Sequence, residues 1–239
     1  MGEAPQVKPA STVVLLRDSE NGPQTLMLRR NKALIFAGGA WVFPGGSLDP
    51  EDIEAGNGDI ERAARIAAAR EAREEAGLDP APQDMVLLSH WTTPAGEPRR
   101  FSTWIFAAPL HGDAEVVIDG GEIHDSQWMD VSDAVVAHER GDLNMLPPTY
   151  VTLRTLASYN SVRDLVNGER DRPVPEVFPV FSQDGDSIVV MFRGDAGYDT
   201  CDVTTPGARH RATLAGSGWR YLHEGVGAEY PPLIPDTTG

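Results

Sequence analysis

The chain has 239 residues, 41% hydrophobic and 23% charged, ordinary proportions for a soluble globular protein with room for a substantial core. Its formal net charge of −16 gives an average surface that repels nucleic acid and anionic membranes, so neither is expected as a partner. No apolar run approaches the roughly 18–20 residues needed to span a bilayer, the first residues lack a signal-peptide layout, and the single Cys201 cannot form an internal disulfide; together these predict a cytoplasmic protein.

Residues 13–16 and 25–28 read as two strands joined by a polar turn over 17–24 that contains Asn21-Gly22-Pro23. Trp41-Val42-Phe43 is a short apolar strand that stops at Pro44-Gly45-Gly46, and an acidic, glycine-containing loop is expected over 47–59. Residues 60–76 are rich in Ala, Glu and Arg, hold no Gly or Pro, and are followed by Gly77 where a C-cap glycine belongs, so they predict a helix. Strands are expected at 85–91 and 102–108 about a turn over 92–99, then at 115–118 and 126–129. Helices are expected at 131–140 and at 149–165, after Pro147-Pro148. This mixed order suggests an α+β sandwich rather than a regular βαβ array. The division expected is a main domain over 8–165 and a C-terminal extension over 166–239, rich in Pro, Gly and Asp, packed on it. That extension carries strand-like runs at 187–192 and 219–222, and a basic stretch at 207–211 that, with Trp219 and Tyr221, closes the extension's own small core.

The chemistry concentrates at the end of the first long helix, Arg70-Glu71-Ala72-Arg73-Glu74-Glu75-Ala76-Gly77-Leu78. A period of 3.6 places Glu71, Glu74 and Glu75 on one face, where like charges repel and the negative end of the helix dipole disfavours them further. A cation should offset this, with Arg70 able to pair with Glu74 and Arg73 a nearby alternative. Alone, the run is a solvated, salt-bridged helix end. The glycine turn Phe43-Pro44-Gly45-Gly46, able to fold back beside the helix, and carboxylate oxygens of the kind that Mg²⁺ and Mn²⁺ prefer, shift the balance towards a metal site.

At these residues the chain resembles the Nudix hydrolase family, whose box reads G-x5-E-x7-R-E-U-x-E-E-x-G-U, with U aliphatic. Gly46 matches the opening glycine and Arg70 to Leu78 match the whole second half, with Ala72 and Leu78 at the U positions. The resemblance implies a Nudix-type α/β/α sandwich with a mixed sheet. It also implies Mg²⁺ or Mn²⁺ held by Glu71, Glu74 and Glu75, carboxylates oriented by Arg70, a loop shaped by Gly45 and Gly46, and a small-molecule diphosphate substrate. A homodimer is compatible with it. Arg70 stands 24 positions after Gly46 where the box asks for 14, an insertion of ten, and counting back from Arg70 puts Arg62 at the middle glutamate's place.

The expanded box, with Trp41 to Asp49, Trp91-Thr92-Thr93-Pro94, Arg99 to Thr103 and Pro147-Pro148-Thr149, is similar to the coenzyme A and acyl-coenzyme A diphosphatase branch. The signature before the box fits at Leu26, Arg30, Gly39 and Phe43 but has Asn31 for a small residue and Ile35 for an arginine. This resemblance makes coenzyme A or its thioesters the leading substrate, ADP-ribose, NADH or another nucleoside diphosphate derivative the runner-up, and a non-catalytic nucleotide sensor the alternative from another class. Arg30, Arg99 and Arg100 are candidate phosphate contacts. Glu122, in the loop before Trp128, is the candidate for a second metal ligand or for the base that activates water; Glu74 and Arg70 complete the expected catalytic set.

Overall fold

A computed structural model describes residues 6–32, 38–110, 112, 115–118 and 120–235. Ile35, where the coenzyme A signature has an arginine, lies outside the described residues. The main sheet is built around β1 (Val7–Ser19), which pairs antiparallel with β2 (Gly22–Arg30) and with β4 (Gly45–Ser47), and parallel with β6 (Arg100–Pro109). The second strand also pairs with β3 (Trp41–Val42) and β7 (Ile123–Asp130). On the other side β5 (Val86–Thr92) pairs antiparallel with β6, and β8 (Glu176–Val177) runs parallel to β5. The sheet is mixed, as expected.

Side-chain alternation sorts this sheet into two faces. Val13, Leu15, Leu26, Leu28 and Phe106 face α2 (Ile60–Ala76), which buries a row of alanines against them; the small side chains let the helix lie close to the strands. Asp59 caps this helix by accepting from the Glu61 and Arg62 N–H groups, and Gly77 closes it at φ 69°. Val14, Leu16, Met27 and Ile105 face the opposite layer, formed by α3 (Val131–Arg140), α4 (Pro147–Leu156) and α5 (Val162–Arg170).

Four expectations change. The turn between the first two strands narrows to Glu20-Asn21, because β1 and β2 stay paired to Ser19 and Gly22. The acidic segment 47–59 is not all loop: β4 reaches Ser47, and α1 (Pro50–Gly56) starts at a proline with its first turn fixed by Asp49 N–H donating to Asp52. Residues 115–118 form no strand; Val117 N–H donates to Ala76 O at the end of α2, while Val116 and Ile118 pack on that layer. The helix expected over 149–165 is two, because Ser161 caps a new start by accepting from Asp164 N–H while Asp18 accepts from Val162 N–H.

Beyond α5, β9 (Val180–Asp184), β10 (Ser187–Met191), β11 (Arg209–Ala215) and β12 (Gly218–Glu224) form a second, antiparallel sheet. The long link between β10 and β11 is tied by buried Asp195, which accepts from Gly197 N–H, His210 N–H and both Nε and Nη2 of Arg211. Trp219 does more than close a local core: its indole donates to Met145 O at 2.9 Å and its backbone N–H to His138 Nε2 at 3.0 Å. Phe192, Val190 and Ala212 join the same apolar cluster as α3 and α4.

The buried ring of His210 donates from Nδ1 to Arg193 O, and burial pushes its pKa down to about 4 despite that bond. The unfolded chain therefore takes up a proton that the folded chain refuses, so this residue's contribution to stability is complete above pH 6.5 and is lost as pH falls towards about 4. In urea unfolding, the stability advantage of wild type over His210→Gln is expected to shrink by up to about 3 kcal/mol across that interval. A constant difference would show that the ring is not held neutral.

Candidate active site

The glycine turn is pinned to β1 by two bonds to one carbonyl: Pro44 O accepts from Val13 N–H at 2.9 Å and from Thr12 Oγ1 at 2.6 Å. It is thereby pressed against the last turns of α2. Gly45 N–H donates to Glu75 Oε2 at 3.0 Å. A Cβ on Gly45 would lie 2.5 Å from Ser11 O, so close approach of backbone requires glycine there, and one on Gly46 would displace the Glu71 carboxylate end.

Arg70 is the hub of the helix end. Its Nη1 donates to Glu71 at 2.9 Å and to Glu74 at 3.1 Å, its Nε and Nη2 donate to Asp52, and Nη2 also reaches Ser47 O. Asp49 stands 3.6 Å from the same guanidinium. Burial works against the Arg70 charge, but the Asp52 bond and the nearby Glu71 outweigh it and raise its pKa. Arg73, the alternative cation, turns away to pair with Asp79.

Asp52 is the residue that counting back from Arg70 missed. Only 3% exposed, it sits on α1 beneath Arg70. Counted forward from Gly46, the pattern G-x5-E falls on position 52, so Asp52 stands where the box has its middle glutamate, and the ten extra residues follow it. A carboxylate is thus retained there, and Arg62 has no part in the hub.

Among the three box carboxylates, Glu71 and Glu75 are the desolvated ones. Burial raises the Glu71 pKa against the pull of Arg70. Burial likewise raises Glu75 to about 7, against the Gly45 N–H bond and with Glu71 adding repulsion. Glu74 is exposed and turned towards Arg70. Arg30 and Glu122 are brought to the same corner: they pair at 3.3 Å, and the charges of both are felt at Glu75. Asn31 fastens the Glu122 loop to the end of β2, its N–H donating to Glu122 O and its side chain to Gly121 O. The other two arginines stand elsewhere. Arg100 donates to Thr93 O and Pro94 O within its own turn, and Arg99 is exposed beside it.

Among the described residues no three His, Cys, Asp or Glu side chains converge tightly enough to enclose an ion, since Glu74 and one oxygen of Glu71 are drawn to Arg70. The donors nevertheless suit a hard divalent cation. They are carboxylate oxygens, two of them desolvated without a full protein counter-charge, facing a turn in which any Cβ would fill the space. Nudix hydrolases generally use Mg²⁺ or Mn²⁺.

Two outcomes are expected. Because a proton and a cation compete for Glu75, apparent Mn²⁺ affinity, followed by electron paramagnetic resonance, should fall as pH drops from about 8 to about 5.5, with the steepest change near the raised pKa of about 7. Asp52→Ala should weaken Mn²⁺ binding by about 10-fold through loss of the anchor beneath Arg70; unchanged binding would make Asp52 dispensable.

A model of the NUDIX domain matches residues 7–148. The fold is similar to that of a Nudix hydrolase from Alicyclobacillus acidocaldarius, with a TM-score of 0.64 and 22% identity over 71% of this chain and 99% of that one. A Nudix hydrolase from Nitrosomonas europaea aligns at 14% identity over 69% of this chain and 92% of that one, with a TM-score of 0.46. With a domain match that takes in the glycine turn, Asp52 and the whole acidic helix end, this chain belongs to the Nudix family, as a hydrolase acting on diphosphate bonds.

Proposed function

We propose that the enzyme cleaves the diphosphate linkage of a nucleoside diphosphate derivative, and that coenzyme A or an acyl-coenzyme A is its substrate, giving 3′,5′-ADP and a 4′-phosphopantetheine species. The observation that supports the chemistry is the Arg70 hub, which holds an acidic helix end against a glycine turn. The substrate reading rests on the expanded box and on its flanking motifs at Trp41 to Asp49 and Trp91 to Pro94.

Glu71, Glu74 and Glu75 would hold Mg²⁺ or Mn²⁺, with Arg70 orienting the first two and Gly45 N–H the third. The bound ion supplies charge neutralisation at the diphosphate oxygens and lowers the pKa of water. A phosphate oxygen would replace Glu122 as the partner of Arg30, an exchange supported by the ion pair the two side chains make at 3.3 Å. Glu122, released from that pair, takes the proton of the attacking water. The water oxygen bonds to phosphorus, the bridging P–O bond breaks, and the departing oxygen keeps the electron pair as part of a phosphate monoester. Arg100, committed to two carbonyls, is given no role.

The test is incubation with Mg²⁺ or Mn²⁺ and a panel of coenzyme A, acyl-coenzyme A, ADP-ribose and NADH, with products read by mass spectrometry. We expect 4′-phosphopantetheine species and 3′,5′-ADP, with turnover reduced about 100-fold or more in Glu75→Gln while its circular dichroism is unchanged. AMP from ADP-ribose or NADH alone would keep the hydrolase and remove coenzyme A. Tight binding of a panel member without turnover would favour a sensor.

A further inference from the structure

Ser11 lies on β1 directly across from Gly46, and it is 1% exposed. Among the described residues its hydroxyl has no hydrogen-bond partner. The next residues on the same face of the strand, Val13 and Leu15, are fully buried under α2 and apolar, so a hydroxyl here gives up apolar packing and loses its bond to water. Thr25, another buried hydroxyl without a partner, is a useful contrast. It pairs with Leu16 and Met129, on the layer opposite α2 and away from the box carboxylates.

Paired residues on neighbouring antiparallel strands point to the same face, with Cβ positions about 5 Å apart. The Cβ direction of Gly46 leads straight to the Glu71 carboxylate, 2.3 Å beyond. On its other flank Ser11 is paired with Trp104, which packs on the same layer. The side-chain group in the direction of the missing Gly46 Cβ is therefore the Glu71 carboxylate; no direct bond joins it to Ser11, and a water making two bonds of about 2.8 Å is what would join them.

We infer that Ser11 is a positioning residue that steadies the Glu71 carboxylate from the strand side through one shared water. Arg70 holds one oxygen of Glu71 from the helix side, and Ser11 fixes the carboxylate's rotation about that anchor. This rests on the proposed role of Glu71 as a metal ligand. Partners of this kind change metal affinity without touching the ion.

The experiment measures Mn²⁺ dissociation constants without substrate, and thermal midpoints without metal, for wild type and for Ser11→Ala, Ser11→Thr and Ser11→Val. Thr and Val share a shape and differ by the hydroxyl. We expect Ser11→Ala and Ser11→Val to bind Mn²⁺ about 10-fold more weakly, Ser11→Thr to stay within about threefold of wild type, and the midpoint of Ser11→Ala to be unchanged or higher. Equal weakening in Thr and Val, or an Ala variant within about twofold of wild type, overturns the inference while leaving the Glu71 site intact. A wild type that binds no Mn²⁺ overturns the site and this inference together.

Discussion

Four carboxylates, those of Asp49, Asp52, Glu71 and Glu74, meet one guanidinium, that of Arg70. Without that cation, the end of α2 would face like-charge repulsion at helical spacing and an unfavourable dipole together. With it, the helix keeps its acids on one face, and the glycine turn can close down on them. The pinning of Pro44 to β1, the N–H of Gly45 on Glu75 and the seating of α1 all act around this one charge. An Arg–Lys exchange would lose the planar fork that serves several acceptors at once.

The helix end and its cap were legible because they are local. An uninterrupted Ala, Glu and Arg run and one glycine define them, and Ile60–Ala76 has the expected bounds. The face shared by Glu71, Glu74 and Glu75 follows from the helical period alone. Asp52 was hidden by an ambiguity of counting, since an insertion between two fixed ends can be placed on either side of a middle residue. Only the contact with Arg70 decides it. The pairing of Arg30 with Glu122 was beyond reach for another reason: 92 residues separate them, and strand β7 lies against β2 rather than beside its neighbour in sequence.

The C-terminal third was expected to pack on the main domain, and its particular contacts are the part that composition does not show. In this segment Trp219 reaches His138 and Met145, and Leu233 accepts from Arg172 and Thr155. Its chain order gave no hint of these contacts, because a single tryptophan in a short strand-like run does not say which layer it enters. The helix expected over 149–165 failed for a related reason. Apolar spacing continues through the break: α4 ends at Leu156, and Ser161 and Asp18 cap a new start at Val162.

The ten extra residues fall between Asp52 and Arg70 and leave the hub undisturbed because those two residues are bonded to each other, while the start of α2 clamps the chain again at Asp59. Between the clamps, Asn57 and Gly58 turn the chain with left-handed backbone angles, and a Cβ on Gly58 would meet nothing within 4 Å. Chain length at that bend is therefore uncoupled from the chemistry. It is a natural splice point, where a peptide tag or a reporter could be grafted close to the catalytic helix without reaching the groups that work there.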